Sequence, residues 1–267
     1  MRVQKSNVCL SCLLIHLFLF LALAGCIKRE ASVNELQPVD TAAFDSCMQQ
    51  ILAPSPPNMR LNTHAWQWKA DQEAYLAGLK LRTTPRGEAA AMDAEKTDDA
   101  RMLKTASEWL SVAVTQETTP HLCRYITVGR KNIAKSIAAT KIVNERKRPF
   151  VLHPEDPTCR RDLKQYSNPV HSYPSGHSGA YHGLALLLAA IHPQCAADVM
   201  QKAWEKGESR WICGYHWASD VEAGRIVATY AYAKLSGNAA FQALQRAAQT
   251  ELEAVLRKRQ RLSGNER

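Results

Sequence analysis

From Trp66 onward, apolar side chains recur at helical spacing and prolines separate the runs. No apolar–polar alternation of the kind a strand needs lasts beyond a few residues. Trp66, Ala70, Ala74 and Ala77 share one helical face. Alanine is plentiful and β-branched runs are scarce, which also favours helix. This pattern predicts an all-α chain packed as a single helical bundle domain over residues 61–262. With 267 residues, 46% of them hydrophobic and 22% charged, one sizeable core is expected.

Helices are predicted at Glu88–Glu95, Asp98–Thr115, Leu122–Arg146, Gly176–Ile191, Gln194–Glu208, Ala218–Leu235 and Asn238–Arg261. Thr84-Pro85-Arg86-Gly87 reads as a turn, and Arg148-Pro149 stops the long helix before it. Phe150–Tyr173 holds three prolines and reads as a loop. Loops that long inside a compact domain are usually functional.

The N-terminus is organised differently. Arg2 and Lys5 precede a mostly apolar run from Val8 to Gly25, which closes on Leu23-Ala24-Gly25-Cys26. Residues 1–25 read as a bacterial export signal, with Cys26 as the lipidated first residue of the mature chain. Residues 26–60 then form a lipid-anchored linker and extended arm, and the protein is expected to be periplasmic, tethered to the membrane by that lipid alone. Cleavage removes two basic and no acidic groups, so 32 basic against 25 acidic residues leave a net charge of +7. Such a balance attracts anionic substrates and surfaces. The basic residues are scattered, so the charge does not point to nucleic acid. Oligomeric state is left open.

Of eight cysteines, Cys47, Cys123, Cys159, Cys195 and Cys213 remain to pair, with room for at most two bridges. Sequence does not determine the pairing. Cys159 and Cys213 both lie near the motifs described next, and that bridge is favoured.

Three segments carry chemistry. In the first, Lys141 and Arg148 stand seven apart, so a continuous helix would project both from one face to hold phosphate oxygens. In the second, Ser172-Tyr173-Pro174-Ser175-Gly176-His177 runs straight into the apolar helix. Ser175 sits at the N-cap position, Gly176 lets an anion approach the free amides of the first turn, and His177 stands beside it. In the third, Ser209-Arg210 precedes His216 and Asp220, which would be i and i+4 neighbours on a helix. A carboxylate on one imidazole nitrogen leaves the other free as a nucleophile. Arg210 adds a planar fork suited to phosphate. Read singly, each segment has a plain structural explanation: a solvated helix end, a capped helix, a His–Asp hydrogen bond.

The three together, in order, resemble the superfamily of type 2 phosphatidic acid phosphatases, vanadium haloperoxidases and bacterial non-specific acid phosphatases. Arg148-Pro149-Phe150, Ser172–His177 and Gly207–Val221 look closest to the class A bacterial acid phosphatases. Glu73-Ala74-Tyr75 and Thr84-Pro85-Arg86 add weaker likeness. The resemblance implies a metal-independent phosphatase of phosphate monoesters, needing no cofactor and taking inorganic phosphate or vanadate as a ligand. It implies His216 as nucleophile, Asp220 as its orienting partner and His177 as general acid. Lys141, Arg148, Ser175, Gly176 and Arg210 would bind the phosphate. His171 stands where these enzymes commonly have Gly, and Ser178 where they often have Thr. His64, His121, His153, His171, His182 and His192 show no ligand spacing for a metal. The rival readings are a membrane-tethered lipid phosphate phosphatase, a vanadate haloperoxidase, whose usual chain is much longer, and an inactive phosphate-binding lipoprotein.

Overall fold

The computed structural model describes residues 65–142, 144–160 and 168–264, with the side chains of 65, 263 and 264 left aside. Cys26, Cys47, His64, the export signal and the linker lie outside the described residues. All described residues belong to one compact unit, Val39–Arg267. They are helical as expected, with no strand among them beyond one isolated bridge between Arg146 and His171. In chain order the helices are α1 Ala65–Leu81, α2 Pro85–Met92, α3 Asp99–Leu110, α4 Pro120–Ile142 and the four-residue α5 Pro149–Leu152. They continue as α6 Gly176–Ile191, α7 Ala196–Ile212, α8 Ala218–Ser236 and α9 Ala239–Gly264. None of them is long and apolar enough to cross a membrane.

The centre of the bundle is α6, which packs against α4, α7 and α8. Its side chains explain this place. Leu184, Ala185, Leu187, Leu188 and Ile191 are buried, and a helix apolar on nearly all sides must be enclosed by others. Tyr125 of α4 and Phe241 of α9 close the core around it, their rings stacked with centroids 5.1 Å apart. A smaller cluster, Ile133 and Ile137 with Val227, Ala228 and Ala231, joins α4 to α8. A third gathers Ile212, Cys213 and Tyr215 against Ala90 and Ala94 of the α2 region. The Cys159–Cys213 disulfide forms beside it, while Cys123 and Cys195 are free thiols.

Several boundaries differ from the sequence expectation. α2 begins one turn early, because Pro85 opens the helix where a turn was expected; its missing N–H costs nothing at a first helical position. α3 ends at Leu110, where Ser111 takes a left-handed conformation (φ 54°). α7 runs past Glu208 to Ile212, carrying Ser209 and Arg210 on its last turn. The largest correction concerns α4, which ends at Ile142 rather than Arg146. The chain then extends, and the Arg146 backbone bonds on both sides of His171: its amide donates to Val170 O (2.7 Å) and its carbonyl accepts from Ser172 N (3.0 Å).

Candidate active site

A cavity of about 460 Å³ opens where α4, α6 and α7 meet the turn before α8. Lys141, Arg148, Gly176, His177, Arg210 and His216 all line it, so six of the expected site residues meet in one place. The apolar side is made by Ala134, Ile137 and Ala138 of α4 with Ala180 of α6. Glu95, Lys96, Thr97 and Arg130 complete the lining, and no sequence motif marked them.

Two of the structural premises behind this grouping were wrong even though the residues converge. Lys141 and Arg148 do not share a helical face. Lys141 is on the last turn of α4, and Arg148 sits in extended backbone as the N-cap of α5. Likewise His216 is not on a helix. It lies in the turn before α8, and Asp220 occupies that helix's first turn. His216 Nδ1 stands 3.6 Å from Asp220 Oδ2, an approach longer than a hydrogen bond.

The cations are held by carbonyl dipoles. Lys141 Nζ donates to His171 O (2.9 Å) and to Pro174 O. Arg148 donates to Asn168 O (2.7 Å), Tyr215 O (2.8 Å) and His171 O (3.1 Å). His171, at a position where Gly is common among the enzymes this chain resembles, thus contributes its backbone. Arg210 lies over the Tyr215 ring at 4.7 Å, and its Nε and NH1 are buried with no hydrogen-bond partner among the described residues. Burial pulls Lys141 down to about 7, aided by the Arg148 charge and opposed by Asp220. Burial likewise brings Arg148 and Arg210 down to about 10.

Both imidazoles are kept neutral by the same surroundings. Burial first, then the charges of Arg148, Lys141 and Arg210, hold His216 well below the ordinary histidine value. For His177 burial again leads, followed by Arg210, His216 and Lys206. Arg148 NH1 is 2.9 Å from His216 Nε2. A guanidinium can only donate, so Nε2 carries the lone pair and Nδ1 the proton, on the side of Asp220. His177 Nε2 is buried without a hydrogen-bond partner among the described residues.

Ser175 and Asp220 do not line the cavity. Ser175 is buried, and its Oγ accepts from Ser178 N (3.3 Å) as the cap of α6. Its amide donates to Asp220 O (2.8 Å), which ties the start of α6 to α8. Ser178, the other departure, donates its hydroxyl to Val221 O (2.8 Å) and reinforces that junction. Asp220 accepts from Ser172 Oγ (2.5 Å), from the Trp217 amide (2.8 Å) and from Arg146 NH1 (2.6 Å). Ser172 and Arg146 belonged to segments singled out in the sequence, but nothing there assigned them to Asp220.

One other grouping could suit a cation. His153, Glu155 and Asp156 bring ligand atoms within 4.8 Å of one another, though spacing gave His153 no such role. They do not line the cavity, and Asp156 already accepts from the Tyr75 hydroxyl (2.7 Å).

The sequence model of the PAP2 superfamily matches residues 123–237, which span the three motifs. A non-specific acid phosphatase from Salmonella typhimurium is 32% identical over 231 residues, 85% of this chain and 88% of that protein. One from Providencia stuartii is 36% identical over 175 residues, 64% of this chain and 69% of that protein. An acid phosphatase of Zymomonas mobilis is 32% identical over 224 residues, covering 84% and 82%.

Proposed function

We propose that this chain, which belongs to the PAP2 superfamily as one of its acid phosphatases, hydrolyses phosphate monoesters through a phosphohistidine on His216, without a metal ion. The observation that carries this reading is the cavity itself. Buried Arg148 and Arg210 and half-buried Lys141, none with a carboxylate bound to it among the described residues, surround two neutral imidazoles. The unpartnered Nε and NH1 of Arg210 supply buried donors of the kind an anion satisfies.

In the first step His216 Nε2 attacks phosphorus and the bond from phosphorus to the ester oxygen breaks. The bound dianion favours a proton taken up from solvent on His177, and the resulting imidazolium gives that proton to the ester oxygen as it leaves. In the second step His177 takes a proton from water, the water oxygen attacks phosphorus, and the P–N bond breaks to release phosphate. Lys141, Arg148, Arg210 and the Gly176 amide hold the non-bridging oxygens throughout. These positive groups do the work often given to metal ions, since phosphoryl transfer depends mostly on positioning and charge. A Cβ on Gly176 would meet only Ile137, at 3.8 Å, so the protein itself has room for one; a methyl there would press on the bound anion instead. Ser175 acts by capping α6 and holding Gly176 and His177 in place.

The apolar run before Cys26 supports a periplasmic enzyme lipid-anchored at that residue. The apolar side of the cavity and its open mouth suit a broad range of leaving groups.

The test is to react the enzyme with a ³²P-labelled aryl phosphate and quench in alkali, where phosphohistidine survives. Label on a peptide containing His216, lost in His216→Ala, is expected. Turnover should persist in excess chelator and fall with vanadate. Turnover by His216→Ala would overturn the nucleophile, and chelator-sensitive turnover restored by a divalent ion would overturn metal independence.

A further inference from the structure

Behind Asp220 lies a buried ion network that the chemistry above does not use. Arg146 reaches Asp220 Oδ1 with NH1 (2.6 Å) and Asp71 Oδ2 with NH2 (2.6 Å). Both carboxylates are out of solvent, Asp71 at 2% and Asp220 at 0% exposure. Asp71, on α1, also accepts from the Ser219 amide (2.8 Å) and the Ser219 hydroxyl (2.6 Å). One guanidinium fork therefore joins two carboxylates, and Asp71 fastens it to the first turn of α8.

We propose that Asp71 is a positioning residue for the phosphatase reaction, acting through Arg146 on Asp220 and so on His216; this rests on the phosphohistidine reading. The reason is charge balance. Arg146 with Asp220 alone would form a neutral pair, leaving little net negative charge beside His216. With Asp71 sharing the same guanidinium, the trio carries a net charge of −1, and Asp220 keeps charge to offer the imidazolium that forms when His216 is phosphorylated. Geometry acts in the same direction. Asp71 holds NH2, so Arg146 meets Asp220 through NH1 on Oδ1 rather than chelating both oxygens. Oδ2 is left to Ser172, the Trp217 amide and His216. Asp71, Arg146, Ser219 and Asp220 do not line the cavity, so substrate binding should be spared.

The experiment measures kcat and KM for 4-nitrophenyl phosphate in Asp71→Asn, alone and combined with Asp220→Asn, with Tm recorded for each. Asparagine keeps an acceptor for the Ser219 amide and removes the charge. We expect kcat to fall about 10- to 100-fold, KM to change less than about 3-fold, and Asp71→Asn to cost nothing further once Asp220 is Asn. Asp71→Glu should recover much of the loss. A normal kcat with a lowered Tm would make Asp71 merely structural and overturn the proposal. So would an equal loss in both backgrounds, or an effect confined to KM. Should Asp71→Asn not fold, Ser219→Ala removes a hydroxyl shared by Asp71 and Arg146, and an unchanged kcat there overturns the proposal. His216→Ala, assayed alongside, separates the two ideas. Its continued turnover sinks the phosphohistidine reading, whereas a dead His216→Ala beside a normal Asp71→Asn sinks this inference alone.

Discussion

The two imidazoles of the proposed mechanism are brought together by a crossing of α6 and α8 that tolerates no side chain at Gly224. A Cβ there would stand 2.3 Å from the Ser175 carbonyl oxygen and 3.2 Å from the Gly179 amide, where ordinary contact begins near 3.4 Å. Both neighbours are backbone and cannot swing aside. Gly224→Ala must therefore push the start of α6 away from α8 by about 1 Å, loosening the Ser175 amide from Asp220 O. That displacement separates His177 and Gly176 from His216. A misplacement of about 1 Å can cost about 100-fold in rate, and that is the fall expected in kcat/KM for an aryl phosphate. Stability should change much less. Overpacking costs about 1–3 kcal/mol, and alanine regains about 1 kcal/mol over glycine inside a helix, for a net loss of about 1 kcal/mol. Gly237→Ala is the control, since its Cβ would meet nothing nearer than Lys234 O at 3.6 Å. Steady-state kinetics and thermal unfolding of the two variants decide the matter. If Gly224→Ala keeps wild-type kcat/KM, the crossing does not set the catalytic geometry.

Two further outcomes follow from the buried histidines. His177→Ala should slow esters with poor leaving groups about 10²- to 10⁴-fold and those with good leaving groups far less, because only the former need a proton; equal losses across a leaving-group series would remove His177 as the acid. His177 and His216 are held well below 6.5 in the fold, whereas the unfolded chain binds their protons near that value. Their contribution to stability is therefore complete above about pH 6.5 and declines as pH falls below it. Unfolding midpoints across pH 4–8 should show this acid-side loss, reduced in the His177→Asn/His216→Asn variant. An unchanged slope in that variant would show that these rings are not its source.

The helical class was legible because it rests on local pattern, and α6 most of all. Its apolar run and the Ser175 cap are adjacent in the chain, and the structure starts the helix at Gly176 as expected. The site was legible for another reason: residue types that suit phosphate stand in a recognisable order, whatever backbone lies between them. Hence Lys141 and Arg148 reach one cavity although α4 stops at Ile142, and His216 comes near Asp220 although a turn, not a helix, carries it. Helix ends were missed where tertiary contacts decide them. The Arg146–His171 bridge takes the end of α4, and the buried Ile212 and Tyr215 cluster extends α7. Asp71 was invisible, being 75 positions from Arg146 on a helix whose sequence marks no reason to bury a carboxylate.

The same positive field serves two needs that would otherwise conflict. A phosphate site must concentrate cations, and a histidine nucleophile must keep its lone pair in acid. Arg148, Lys141 and Arg210 are the groups that hold the phosphate in the proposed mechanism, and they are also the charges that keep His216 unprotonated. The cost is borne by the fold: Arg210 keeps buried N–H groups without partners among the described residues, and Lys141 loses much of its hold on its proton. In the cavity, the donors left without partners are ones a dianion would satisfy. On its arrival the anion offsets the repulsion among the cations and favours a proton on His177, the group that must next donate one. A site of this kind is least stable when empty in acid and is completed by its own substrate.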